Sequence, residues 1–312
     1  MKNREKKFKI NIYAIVVGLI LAIYAISVIG SLLWGVLTSL KYRTDFMDNL
    51  LGLPNMEIWE KKGGNIFTNY TSLFSALEKD FEKTFHQGWN LDIPTVNKSH
   101  VDFFGFTLNT LLYAGGSAFF GALAPCIMGY MCSKFKYKFS GIIYGFVLLK
   151  MVMPMIGNTT AVITLMRRFC IYDTIWGMWI KNLTFENTYF LIFYAFFSGV
   201  SDTYAEAAQL DGASYFRVMF TIYIPLAIKT FSTIFLLQFV AMYNDYNTSL
   251  LYIPTHPTLA YAVLIFGGQH NSGANVPFNF AAAMALAMPM VIVFVIFKNK
   301  LMGNISVGGV KE

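Results

Sequence analysis

An all-α membrane protein with six transmembrane helices is the fold class this sequence predicts, and three observations predict it. Hydrophobic side chains make up 56% of the 312 residues and charged ones only 13%, more apolar surface than a water-soluble domain of ordinary composition carries. The apolar residues are gathered into long runs, and a spanning helix needs roughly 20 of them. The basic residues flank those runs and do not collect on one soluble, aromatic-bearing face, so the net charge of +7 reads as membrane topology and not as nucleic-acid binding.

The runs are 12–40, 105–132, 141–165, 174–200, 226–246 and 279–297. The first is too long for a signal-peptide core and lacks a small-residue cleavage site, so it is expected to stay as an anchor. Lys2, Arg4, Lys6, Lys7 and Lys9 before it predict a cytoplasmic N-terminus, and an even number of spans returns the C-terminus to the same side. Lys134, Lys136 and Lys138, and then Lys298, Lys300 and Lys311, agree with that orientation; Arg167 and Arg168 fall on the predicted outside and count against it. The fourth run holds Lys181, Asn182 and Glu186 in its first half, so part of it is expected at the outer interface or against protein.

Between the first two spans lies a polar external segment, 41–104. Within it Tyr70, Leu73, Phe74, Leu77 and Phe81 recur at spacings of three and four, which fits either an amphipathic helix on the membrane or a partner, or a solvated loop packed on itself. A second external segment, 247–278, sets Pro254, Pro257, Gly267, Gly268 and Gly273 around the apolar stretch 259–266, a pattern for a re-entrant or partner-probing loop. There is no internal repeat and no low-complexity tract, so a single membrane domain over 1–312 is expected.

Sites for chemistry are absent from the pattern. No G-x-x-x-x-G-K-[ST] occurs, nor any Gly-Lys pair, so the chain lacks the usual phosphate cradle; H-E-x-x-H, G-x-S-x-G and C-x-x-C are absent too. His86, His100, His256 and His270 fall in predicted external segments and read as ordinary exposed residues. Cys126, Cys132 and Cys170 lack metal or redox spacing and read as small apolar packing residues. No catalytic residue, metal site or cofactor is expected in this chain.

The predicted cytoplasmic segment 201–225 is different. It contains Glu206, Ala207 and Ala208, then Asp211, Gly212, Ala213 and Ser214, ending at Pro225. An acidic residue in a first helical turn complements the helix dipole. Ala207 and Ala208 admit a close surface, Asp211 and Gly212 shape a turn, and Phe216, Phe220 and Ile222 offer apolar anchors. Glu206 therefore reads either as a contact to a basic partner residue or as helix capping.

This stretch resembles the EAA signature of permease subunits of binding-protein-dependent ABC importers, and the chain is similar to the second, maltose-type permease of carbohydrate importers. Asn69, Tyr70, Leu73 and Phe74, Asn109, Thr110 and Leu111, Gly129 and Tyr130 with Lys134, Phe135 and Lys136, Pro154, Thr174, the patch Tyr243 to Tyr246, and Gly308, Gly309, Val310 and Lys311 carry it. Ser201 and Lys229 stand where the family has prolines, and the first external segment is enlarged. The resemblance implies a type I importer permease fold, with the loop 201–225 docking on a separate ATPase through Glu206, Ala207, Ala208, Asp211, Gly212, Ala213 and Ser214. It further implies that Gly308, Gly309 and Lys311 reach between two ATPase subunits, which hold ATP and Mg. The partners it implies are a homologous permease, two ATPase subunits, an extracytoplasmic binding protein, membrane lipid and an oligosaccharide, in a multi-pass protein of the bacterial cytoplasmic membrane.

Asn109, Lys150, Asn158, Asn244 and Asp245 are candidates for the substrate pathway. Lys150, near the middle of the third run, serves either to attract an acidic sugar such as a uronate or to pair with a carboxylate; an ammonium there costs roughly 2.5 to 3.5 kcal/mol on insertion scales. The asparagines and Asp245 can bond sugar hydroxyls or each other's helices. A permease for a non-sugar solute remains the alternative, since the loop reads the motor and not the cargo. A membrane-embedded glycosyltransferase would need clustered carboxylates or a metal site at one face.

Overall fold

The computed structural model describes residues 12–79, 103–135, 138–153, 157–185, 187–269 and 275–302, and among them every regular element is helical. The described residues fall into two compact units, one within 1–76 and 266–285, the other within 77–265 and 286–312.

In the first unit, α1 (Ile12–Ser39) is apolar throughout and exposes most of its side chains. The segment after it folds as α2 (Arg43–Asp48), α3 (Met56–Lys61) and α4 (Thr68–Lys79). A helix C-terminus leaves carbonyls without intrahelical partners, and side chains supply them here. Asn69 Nδ2 donates to the carbonyls of Ser39 at 2.8 Å and Lys41 at 2.9 Å, and the Trp59 indole donates to that of Leu40 at 3.0 Å. Tyr70 and Ser39 share a hydroxyl–hydroxyl bond of 2.7 Å. Leu73 is buried. The three-four spacing after Thr68 is thus that of a packed helix over 68–79; 80–85, including Phe81, lies outside the described residues.

The second unit is built on α5 (Phe103–Lys134). Ala114, Ala118, Ala122, Cys126 and Tyr130 are four residues apart, all buried, and form one stripe of the helix. Small residues let helix backbones approach: a Cβ on Gly129 would lie 2.8 Å from Phe193 Cβ and 3.0 Å from the Tyr194 nitrogen. After α5 come α6 (Lys138–Val152), α7 (Thr159–Arg168), α8 (Ile175–Lys181), α9 (Thr188–Ser198), α10 (Thr203–Leu210), α11 (Tyr215–Val218), α12 (Ile224–Tyr243), α13 (Tyr246–Tyr252), α14 (Leu259–Gln269) and α15 (Val276–Met302).

Among the described residues four helices are long and apolar enough to cross a membrane: 15–39, 103–134, 215–243 and 276–293. The third and fourth predicted spans are each interrupted. In 141–165 the helix stops at Val152 and restarts at Thr159, with Gly157 at φ +79°. The sequence places Pro154 in that gap, where its missing N–H cannot continue a helical ladder. In 174–200, α8 ends at Lys181, and Asn187 opens α9 by accepting from the N–H groups of Tyr189 at 3.1 Å and Phe190 at 3.3 Å. The helix that holds the fifth apolar run starts upstream of it, because α11, a π-helical turn over Met219–Tyr223 and α12 follow one another without a break. Pro225 has no N–H to offer the carbonyl four residues before it, and the wide turn stands at that point.

Candidate functional site

The segment 201–225 is built on a closed helix end. In α10 the Gly212 N–H donates to the Gln209 carbonyl at 3.0 Å and the Ala213 N–H to the Ala208 carbonyl at 2.9 Å, with Gly212 at φ +78°. This is the Schellman arrangement, which needs a left-handed residue at Gly212's position. Ser214 then starts α11 by accepting from the Arg217 N–H at 3.4 Å. At the front, Ser201 Oγ accepts from the Thr203 N–H at 3.3 Å, so this serine organises the helix entrance where the resembling family has proline.

One face of the segment is rooted in the membrane-spanning core. Ala205, Ala208, Ala213 and Ile222 pack against a cluster containing Ala122, Tyr130, Phe197, Val218 and Tyr223. Ala208, Ala213 and Ile222 are half-buried on that side. The opposite face is open. Glu206, Ala207, Asp211 and Ser214 are exposed, and Leu210, Phe216 and Phe220 are 90%, 74% and 57% exposed. Leu210 was not singled out by sequence, although it lies four residues after Glu206 and so on the same helical face.

Two further residues tie this site down. Lys134, in the last turn of α5, donates to the Val200 carbonyl and to the Asp202 carboxylate, the latter at 2.7 Å. Its ammonium stands 5.4 Å from the centre of the Tyr223 ring, within cation–π range. Lys134 and Asp202 border a cavity of about 250 Å³ whose walls include Tyr130, Glu206, Gln209 and Tyr223. Sequence reasoning gave Lys134 only a topological role, and Asp202 none.

The substrate-pathway candidates Asn109, Asn244 and Asp245 have local partners. Asn109 Nδ2 donates to the Pro257 carbonyl at 3.2 Å, and Asn244 Nδ2 to the Val240 carbonyl of its own helix at 2.9 Å. Asp245 caps α13 through the Thr248 N–H at 3.2 Å and accepts from the Tyr113 hydroxyl at 3.1 Å. Asn158 is exposed at the start of α7 without bonding its backbone. Lys150 sits in the last turn of α6, two residues before the helix ends at Val152. Gly308, Gly309 and Lys311, like His86, His100 and His270, lie outside the described residues. His256 is half-exposed, its Nδ1 3.0 Å from Thr255 Oγ1. Cys126 and Cys132 are buried as predicted, whereas Cys170 is exposed at φ +54°.

No protein-family model matches the chain. It is 20% identical over 302 residues, 95% of this chain and 88% of that protein, to the diacetylchitobiose uptake system permease protein NgcG of Streptomyces coelicolor. It is 28% identical over 124 residues, 38% of this chain and 44% of that protein, to the trehalose/maltose transport system permease protein MalG of Thermococcus litoralis. A chain from the crystal structure of a bacterial ABC transporter involved in the import of the acidic polysaccharide alginate shares the fold, with a TM-score of 0.64 and 18% identity over 96% of this chain and 99% of that one. In sequence over most of its length and in fold, the chain is thus similar to permease subunits of ABC transporters for sugars, as the residues from Glu206 to Pro225 predict, and those relatives are transport components and not enzymes.

Proposed function

We propose that this chain is a permease subunit of a binding-protein-dependent ABC importer for oligosaccharides, of the second, maltose-type kind. It pairs with a homologous permease to form an alternating-access pathway, receives cargo from an extracytoplasmic binding protein, and couples to two separate ATPase subunits that hold ATP and Mg. The observation that carries this reading is the two-sided character of 203–223: alanines rooted in the spanning core behind, and Glu206, Leu210 and Phe216 exposed in front. A rigid segment of that kind transmits a push from a docked motor to the helices behind it.

On this reading α6 with α7, and α8 with α9, make the third and fourth of six crossings, both termini are cytoplasmic, and 1–312 works as one membrane domain in the bacterial cytoplasmic membrane. Gly308, Gly309 and Lys311 follow the last crossing towards the motor. The test is co-purification of the tagged chain with its ATPase and second permease, followed by ATPase assays in liposomes with the binding protein and a panel of neutral and uronate-containing oligosaccharides. Stimulation by one ligand class supports the reading; a chain that purifies with neither partner overturns it.

A further inference from the structure

The turn that follows α2 carries apolar side chains where a soluble loop would carry polar ones. Met47, Leu50, Leu51, Leu53 and Met56 are 62%, 52%, 78%, 74% and 62% exposed. Isolated exposed leucines need no explanation, but a contiguous group of this kind marks a surface that something apolar covers.

The turn also folds back along α1. The Trp34 indole donates to the Leu50 carbonyl at 3.1 Å, and Trp34 precedes the helix end at Ser39 by five residues, about 7–8 Å of rise. The apolar span 15–39 has 25 residues, about 37 Å of helix against a hydrocarbon layer about 30 Å thick. Centred in a bilayer, it protrudes about 4 Å at each end, so the Trp34 backbone lies about 4 Å inside the hydrocarbon boundary, and its indole holds the Leu50 carbonyl close to that boundary.

Backbone there needs its polar groups bonded by the protein or by the membrane interface, and several groups of this turn are bonded internally. Lys41, 1% exposed, donates its ammonium to the Asn49 carbonyl. The Asn49 side chain accepts from the Gly52 N–H at 2.7 Å and donates to the Leu53 carbonyl at 3.4 Å. The Asn49 N–H donates to the Asp45 carbonyl at 2.8 Å, and the Asn55 N–H to the Asp45 carboxylate at 2.9 Å. Arg43 and Asp48 keep their exposed charges on α2, outside the 49–53 turn.

We propose that residues 49–53 form a membrane-dipping turn, in which Leu50, Leu51 and Leu53 insert among lipid acyl chains of the leaflet at the Ser39 end of α1, with Met47, Asp48 and Met56 at its rim. The proposal rests on α1 crossing the bilayer and is independent of the importer reading. It makes this turn a second anchor fixing the depth of α1.

The experiment places a nitroxide label at Leu51→Cys, Leu53→Cys or Lys62→Cys, each in the full chain with its native exposed thiol removed by Cys170→Ser, in phospholipid nanodiscs. Collision rates with oxygen, which concentrates in lipid, are compared with those of a water-soluble nickel chelate. Labels at 51 and 53 meeting oxygen several-fold more often than the chelate, with the order reversed at 62, is the expected result. Chelate access at 51 and 53 equal to that at 62 overturns the proposal, as does protection from both reagents, which would show that protein and not lipid covers the turn.

Discussion

Lys134 and Asp202 meet at 2.7 Å across 68 residues of sequence, and the lysine side chain is 10% exposed while the aspartate's is 55% exposed. The pair joins the end of the central helix to the entrance of α10. Its electrostatic part is modest because Asp202 faces solvent, about 1 kcal/mol or less; the bond from the same ammonium to the Val200 carbonyl adds a geometric constraint. Lys134→Met is expected to cut ligand-stimulated ATPase activity of the reconstituted complex several-fold while leaving subunit assembly intact. Exchanging the charges by Lys134→Asp with Asp202→Lys is not expected to restore it, since the Val200 carbonyl would then face a carboxylate.

Gly212 holds φ +78° with open space around its Cα, so a side chain there meets backbone strain and no clash. A β-branched residue in the left-handed region costs about 1–2 kcal/mol, and Gly212→Val is expected to unwind the α10 terminus and uncouple ATP hydrolysis from uptake. Gly212→Asn, which tolerates this conformation, is expected to retain most transport. Normal uptake by Gly212→Val would remove the docking role from this turn.

Gly129 and Gly141 separate packing from propensity. A Cβ at Gly129 meets the backbone of α9, whereas one at Gly141 meets nothing within 4 Å. Gly129→Ala is therefore expected to destabilise by about 1–3 kcal/mol through overpacking, seen as a lower melting temperature in detergent. Gly141→Ala is expected to leave that temperature unchanged or raise it.

Asp173, at φ +58°, accepts from the Thr255 N–H at 3.0 Å and the Thr255 hydroxyl at 2.8 Å, tying the segment before α8 to the one after α13. Asp173→Ala removes both charge-assisted bonds and adds backbone strain, a loss of about 2 kcal/mol or more. Asp173→Asn keeps the turn and one acceptor and is expected to be the milder variant by limited proteolysis of these segments.

Lys150, in the last turn of α6, is placed to interact with the negative end of the helix, worth about 0.3–1 kcal/mol. Lys150→Met is expected to lower stability slightly and to leave the ratio of neutral to uronate-containing oligosaccharide uptake unchanged. Selective loss of the uronate cargo would instead assign the ammonium to the substrate pathway.

The long helices were legible because a run such as 12–40 admits no other reading, and the segment 201–225 because Glu206, Asp211 and Gly212 stand out among apolar neighbours. The interruption of the third run was written in Pro154 and Gly157, whose weight is hidden by continuous hydropathy on either side. Ala207 and Ala208 are indistinguishable in sequence, yet one faces solvent and the other the core, because the choice is made by the phase of a short helix. The Lys134–Asp202 and Asp173–Thr255 links were not legible at all: each needs two distant segments brought together before either partner has a role.

The π-helical turn at Met219–Tyr223 makes the path from α10 to the fifth span a geared connection. Each residue added to or taken from it rotates everything upstream by about 100° relative to α12. A single-residue deletion there would keep every side chain of α10 and still aim Glu206 and Leu210 away from their present direction. The count of residues between them and Pro225 is thus as much a part of the site as their identities, and a length change there acts as a phase error that no substitution within α10 can correct.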